Sequence, residues 1–358
     1  MRVTKTVGQY YIGEGAIDHL ETMIDVRLEQ TPGSVLFLMD HYFKSSALVK
    51  GLPVRDEDAL IFVDSTHEPT TDQLDALTGD VRALEKMPAV IVAIGGGSTL
   101  DIGKGMANLL TNGGKSEDYQ GWDLVKVPGI FKIGVPTLSG TGAEGSRTCV
   151  LMNHSKNLKL GMNSDFTVYD RLILDPNLTD SVPKDQYFYS GMDTYIHCIE
   201  SLQGRFRNAF ADACSDQALK ICRDIFLSDD MQSLGNREQM MVASFLGGSA
   251  IGNSFVGLVH PLSAGLSMVL GLHHCVANCI VMNVMDEFYP QETKEFKTMA
   301  KANGVDIPQG VCAELDEQQM QQLFDASIVH EKPLVNALGD DFKEILTFKK
   351  VSELFRLM

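Results

Sequence analysis

Asp193 and His197, in the stretch SGMDTYIHCIESL (190–202), are four residues apart in a segment of helical character. That spacing sets a carboxylate and an imidazole on one helix face, about one turn apart, where the two can share a divalent ion. A polar pair on a partly exposed helix has the same look. A second stretch, GLVHPLSAGLSMVLGLHHCVAN (257–278), carries His260 and His274, 14 residues apart. One continuous helix would separate them by about 21 Å, too far to share an ion. Gly271 and the GLHH turn offer a break, after which a new helix can bring His274 back towards His260. Asp193, His197, His260 and His274 then form a set of three imidazoles and one carboxylate. Such a set suits Fe²⁺ or Zn²⁺ with a position open to a substrate oxygen. His273 is an alternative ligand or a polar group at the rim. Cys275 and Cys279 read as buried helical cysteines. His19, His41, His67, His154 and His330 have no partner at ligand spacing and read as surface or structural residues.

A second kind of chemistry is written into VIVAIGGGSTLDIGKGMANLL (90–110). Gly95, Gly96 and Gly97 are consecutive, so the Rossmann pattern is absent, and Lys104 is followed by Gly105, so the P-loop pattern is absent too. A glycine run between a buried strand and a helix still lets backbone approach a pyrophosphate, with the free N–H groups of the helix start behind it. A further Gly/Thr-rich turn, PTLSGTGAEGSR (136–147), follows the next strand and supplies Thr137, Ser139 and Thr141. Two such turns at the carboxyl ends of strands would flank one crevice. Asp40, at the end of an earlier strand, has two readings. It accepts from a ribose hydroxyl, favouring NAD over NADP by repelling a 2′-phosphate, or it is a surface acid.

These residues need a scaffold. The runs at 34–40, 59–64, 88–97, 131–137 and 169–176 read as strands, with helical periodicity at 70–86 and 98–110 between them. Ser98 and Asp101 are spaced like a capping box at the start of the second helix. Alternation of this kind predicts a parallel, doubly wound α/β sheet. Past Pro183 the β-branched runs thin out and Ala, Leu, Met, Gln and Glu dominate. The expectation is an α/β domain over 1–182 followed by an all-helical domain over 183–358.

Composition narrows the function. The 358 residues carry a formal net charge of −17, which argues against nucleic acid and anionic membrane surfaces as partners. The first residues have no apolar core of signal-peptide length, no run reaches membrane-span length, and seven cysteines lie without CxxC pairs. The expectation is a cytoplasmic protein with reduced thiols.

The pieces GGGSTLDIGKG, VPTLSGTGAE, LILDPNLTDSVP, GMDTYIHCIES and HPLSAGLSMVLGLHHCVAN, in that order, resemble the iron-type (group III) alcohol dehydrogenases along nearly the whole chain. The resemblance implies an NAD(P)-binding α/β domain plus a helical domain, an active site in the cleft between them, and a homodimer. Matched by motif, Gly95, Gly96, Gly97 and Ser98 fall on the pyrophosphate loop, with Asp101 the acid of that motif. Thr137, Leu138 and Thr141 fall on the second cofactor loop, and Lys159 and Leu178 on cofactor-lining positions. Asp193, His197, His260 and His274 fall on the four metal ligands. Ala264 departs from the family, many of whose members carry a further histidine there, near the nicotinamide. That leaves His273, a bound water or the ribose hydroxyl as proton carrier.

The implied chemistry is metal-assisted hydride transfer from a primary alcohol to NAD(P). Within the family the resemblance is to a branch acting on a sugar acid of bacterial lipopolysaccharide. Arg205 and Arg207, just after the metal helix, either clamp a substrate carboxylate or are solvated charges. The alternatives are a dehydrogenase of a small alcohol or polyol, a lyase like dehydroquinate synthase, and a non-catalytic nucleotide-binding protein.

Overall fold

The structure is a computed structural model and describes residues 5–358. The chain forms two compact units, one running to Asn153 and including Leu160–Ser181, the other comprising His154–Lys159 and Val182–Met358.

In the first unit the strands are β1 (Gln9–Ile12), β2 (Ser34–Asp40), β3 (Ala59–Val63), β4 (Pro88–Gly95), β5 (Gly121–Trp122), β6 (Phe131–Pro136), β7 (Thr148–Asn153), β8 (Leu158–Asn163) and β9 (Arg171–Leu174). The helices are α1 (Leu20–Gln30), α2 (Ala47–Lys50), α3 (Thr71–Arg82) and α4 (Gly97–Asn112). Six strands make one sheet in the order β1-β9-β6-β4-β2-β3, every neighbouring pair parallel. The expected α/β class is therefore the observed one. The central strands are apolar throughout because both their faces are covered. Val35, Phe37, Met39, Val90, Val92 and Ile94 pack with Leu20, Met23 and Ile24 of α1. On the opposite face α4 lies directly on β4, where a Cβ added at Gly103 would come within 2.7 Å of the Ala93 Cβ.

The winding reverses between β2 and β4. From β2 the chain moves outward to β3, then crosses back to β4 on the other side and proceeds through β6. Such a switch point opens a crevice at the carboxyl ends of its strands. Asp40 ends β2 and Gly95 ends β4.

Three features depart from the sequence reading. The edge strand β1 is short and largely exposed, so it carries no alternating apolar signal. A second sheet, β5-β8-β7, is built from strands of two and six residues and falls in a stretch with no regular periodicity. The capping box is absent: Gly96 takes the N-cap of α4 with no side-chain cap, and Asp101 Oδ2 instead accepts from the Val150 N–H at 2.8 Å.

The second unit holds α5 (Lys184–Gln203), α6 (Ala209–Phe226), α7 (Leu234–Asn253), α8 (Val259–Leu270), α9 (His274–Met282), α10 (Pro290–Asn303), α11 (Glu317–Ile328), α12 (Glu331–Leu338), α13 (Phe342–Ile345) and α14 (Phe348–Leu357). Side-chain caps start several of them: Asn208 accepts from the Ala211 N–H, and Asp316 and Gln319 form a capping box on α11. Small residues let α5 sit deep in the bundle. A Cβ at Gly191 would meet the Phe226 ring at 2.2 Å, and one at Gly247 would meet Thr194 at 3.0 Å. The result is a nearly sealed helix, with Ser190 through Ser201 all buried. Among the described residues, no helix is long and apolar enough to cross a membrane.

Candidate metal centre and nucleotide turn

Three helix segments build the polar centre of the second unit. Asp193, His197 and Glu200 share one face of α5 by their i, i+4, i+7 spacing. His260 is in the first turn of α8, which ends at Gly271 in the left-handed conformation (φ 68°). The chain then turns through Leu272 and His273, and His274 opens α9. The break predicted at Gly271 is thus real, and it is what brings His274 beside His260, their ring centroids 5.4 Å apart.

One ligand atom from each of Asp193, His197, His260 and His274 lies within 4.8 Å of the other three. Asp193 Oδ1 is 3.5 Å from His197 Nε2 and 3.3 Å from His260 Nε2, and Oδ2 is 3.6 Å from His274 Nε2. A tetrahedral shell with bonds of about 2.1 Å puts its ligand atoms about 3.4 Å apart. The donor set and its spacing therefore fit a divalent ion. The Asn278 amide adds a donor, 2.7 Å from Asp193 Oδ1 and 3.3 Å from the Nε2 atoms of both His260 and His274.

Burial sets the charges. It would raise the Asp193 carboxyl, but the neighbouring imidazoles outweigh it and hold the group well below the usual carboxylate range. Burial pushes His197 down to about 4 against the pull of Asp193, leaving a neutral imidazole. His260 is opposite: burial would lower it, yet the Glu200 charge and hydrogen bonds to Asp193 and Glu200 lift it to about 9. Glu200 is missing from the sequence reading. An acid in a helix is ordinary, and its partner is 60 residues away.

In the first unit the two glycine-rich turns lie side by side at the ends of β4 and β6. The Thr137 N–H donates to the Gly95 carbonyl at 3.0 Å. A Cβ at Gly97 would stand 2.9 Å from Thr141 Oγ1, one at Gly96 would touch Leu138 at 3.7 Å, and one at Gly95 would be 3.0 Å from the Asp40 Cβ. So Asp40, Gly95, Gly96, Gly97, Thr137, Leu138 and Thr141 share one place. Side chains there would fill a cradle that bare backbone leaves open, beside the N-terminus of a 16-residue helix. The buried hydroxyls of Thr99 and Ser139, on the same two turns, have no hydrogen-bond partner. These features fit a phosphate-bearing ligand. Ser98 is half-buried in the first turn of α4. Asp101 faces inward instead: burial lifts it to about 6, with Lys104 Nζ 3.5 Å away opposing. Leu178 packs against the sheet core, and Lys159 is buried with Nζ donating to Ser267 Oγ at 3.2 Å.

The remaining candidates stand apart from the metal set. His273 is exposed at the N-cap of α9. Arg205 and Arg207 are 57% and 55% exposed and pair with Asp340 and Asp212. His330 has a buried Nε2 without a hydrogen-bond partner, and burial with the Lys159 charge pushes it down to about 4.

Known proteins are similar to this chain in sequence and fold. A family model described as iron-containing alcohol dehydrogenase matches residues 8–176, and one described as the C-terminal part of that family matches 187–333. The sulfoacetaldehyde reductase of Bilophila wadsworthia is 31% identical over 221 residues, 61% of this chain and 56% of that protein. The NAD-dependent methanol dehydrogenase of Bacillus methanolicus is 28% identical over 307 residues, 83% and 78% of the two chains. Of the first two curated relatives matched, the chain spans 49% and 56%, about half their length. A crystal structure of a 1,3-propanediol oxidoreductase superposes with a TM-score of 0.86 at 20% identity, covering 99% of both chains, which shows the shared fold. With both family models matched in order across the two units, the chain belongs to the iron-containing alcohol dehydrogenase family.

Proposed function

We propose that this protein is a metal-dependent oxidoreductase that transfers hydride between a primary alcohol and NAD(P). The observation that carries this reading is the set of Asp193 and His197, buried, with His260 and His274, partly buried, at ligand spacing. Fe²⁺ or Zn²⁺ held there would supply a Lewis acid that lowers the pKa of the substrate hydroxyl. Asp193 brings the negative charge of the ligand set. His197, kept neutral by burial, brings a lone pair without needing to lose a proton. The apolar packing of α5 keeps water out and holds these groups in place.

On the nucleotide side, the backbone of Gly95, Gly96, Gly97 and Ser98 would cradle the pyrophosphate at the start of α4. Thr137, Leu138, Thr141, Lys159 and Leu178 would line the cofactor. Asp40, at the end of β2, suits a ribose hydroxyl and so favours NAD over NADP. Asp101 would act on this turn from behind, through Val150 and Lys104. Ala264 offers no proton-transferring group, which leaves His273, exposed at the rim, a bound water or the ribose hydroxyl as the proton carrier. In this reading residues 1–182 serve the cofactor and 183–358 the metal and alcohol.

For the substrate we assign the terminal C8 hydroxyl of 3-deoxy-D-manno-octulosonate, oxidised to an aldehyde in the making of lipopolysaccharide sugars. What supports it is the sequence resemblance to the 3-deoxy-D-manno-octulosonate 8-oxidase branch. A relative named for an anionic substrate, sulfoacetaldehyde, accords with it. A second reading, a small alcohol or polyol, is favoured by the engagement of Arg205 with Asp340 and Arg207 with Asp212, which leaves neither as a ready carboxylate clamp. The deciding experiment is NADH absorbance with metal-loaded protein, NAD and the sugar acid, beside glycerol, 1,3-propanediol and simple alcohols. Turnover on the sugar acid supports the first assignment. Turnover on small alcohols alone removes it and keeps the chemistry.

A further inference from the structure

Glu200 has no place in the ligand set, yet it is 1% exposed, and a buried carboxylate is costly unless its oxygens are engaged. Both are. Oε2 lies 2.5 Å from His260 Nδ1, and Oε1 accepts the backbone N–H of Val259 at 2.5 Å. One carboxylate therefore grips the ring of a ligand and the peptide just before it. The space for this grip is made at Gly257, where a Cβ would press on the Glu200 side chain at 3.2 Å.

The consequence for His260 is chemical. With Nδ1 donating to a carboxylate, the lone pair of the ring falls on Nε2. Nε2 is the nitrogen that faces Asp193 Oδ1 at 3.3 Å, and the Asn278 amide stands 3.3 Å from it on the donor side.

We propose that Glu200 is a positioning residue of the metal centre, fixing the His260 tautomer through Nδ1 and anchoring the start of α8 through the Val259 N–H. The inference rests on the metal-centre reading given under Proposed function. Replacement by glutamine keeps the size of the side chain but offers one acceptor oxygen where two are used, so a donor NH2 must face His260 Nδ1 or the Val259 N–H and the grip is lost with little change in packing.

The test is binding of Zn²⁺ by chelator competition, together with the visible spectrum of the Co²⁺-loaded protein. Wild type, Glu200→Gln and Asp193→Ala would be compared. Glu200→Gln is expected to bind Zn²⁺ about 10- to 100-fold more weakly, the range for such outer partners, and to shift the Co²⁺ bands. Equal affinity and an unchanged Co²⁺ spectrum in Glu200→Gln overturn the proposal. A wild type that binds neither ion at all overturns the metal-centre reading itself, a different outcome. Should Glu200→Gln fail to fold, the Zn²⁺-loaded wild type still decides. Its proton NMR spectrum must contain an exchange-protected imidazole Nδ1–H from His260. Its absence sinks the tautomer assignment.

Discussion

The nucleotide turn and the metal centre meet opposite demands. The turn is made of backbone: three glycines in a row, a helix start and a neighbouring loop, all within about 50 residues of chain. Its chemistry lies in what is missing, since a Cβ at Gly97 would crowd Thr141. The metal centre is made of side chains gathered from three helices, with His274 81 positions beyond Asp193. It is partly buried and charged, and its ligand atoms lie within 4.8 Å of one another. A turn that binds through N–H groups tolerates change in any side chain that stays out of the way. A centre that binds through four side chains loses its function with one.

That contrast can be broken in order of expected effect. Asp193→Ala removes the only carboxylate of the set and should cut steady-state NADH formation by on the order of 10³-fold, the worth of several kcal/mol of charge stabilisation. Retention of most activity would mean the chemistry sits elsewhere. Gly97→Val places branches against Thr141 and should weaken NAD binding by roughly tenfold or more, read by NADH fluorescence, with metal content unchanged. A simultaneous loss of metal would show the two regions to be coupled rather than separate.

Two further effects concern stability. At a metal concentration about 100 times its Kd, bound ion should stabilise the protein by about 2.7 kcal/mol. A chelator should therefore lower the unfolding midpoint of wild type and leave that of Asp193→Ala in place. The smallest effect belongs to Lys132, buried at the start of β6 and pushed down to about 8 by burial, against the pull of Asp170 3.7 Å away. Its folded pKa is depressed, so between about pH 8 and 10.5 the unfolded chain binds the extra proton and stability rises with pH. Lys132→Met should flatten that rise and add about 1 kcal/mol at pH 7 in denaturant unfolding, since Asp170 keeps Lys5 and the peptide N–H of residue 132. NAD affinity should not move, because the start of β6 is the end away from the turn.

The two regions were also unequally legible. The glycine turn announces itself because a local pattern is the whole of its construction: apolar run, glycines, helix. Asp193 and His197 are visible for the same reason, being four apart on one helix. His260 and His274 needed the Gly271 break, which a left-handed glycine at a helix end makes readable. Glu200 could not be read, since an acid seven residues past Asp193 is indistinguishable from a solvated one until α8 is packed against it. Likewise Asp101, whose spacing suits a cap, turns inward to the Val150 N–H, a partner 49 residues on. The small second sheet escaped because one of its strands has two residues and the other two, of six, show no clean alternation of buried and exposed positions.

By itself, the sequence determined the order of α/β unit and helical unit, the place of the turn and the four residues of the candidate ligand set. These follow from periods of two and 3.6 residues and from glycine's freedom, which act within a few residues of chain. Only the tertiary structure decided that Glu200 grips His260, that Asn278 donates to Asp193 and that Arg205 and Arg207 turn to surface acids. Such pairings cost backbone and side-chain entropy over long loops, and they form only where the packing of whole helices has already brought the groups together.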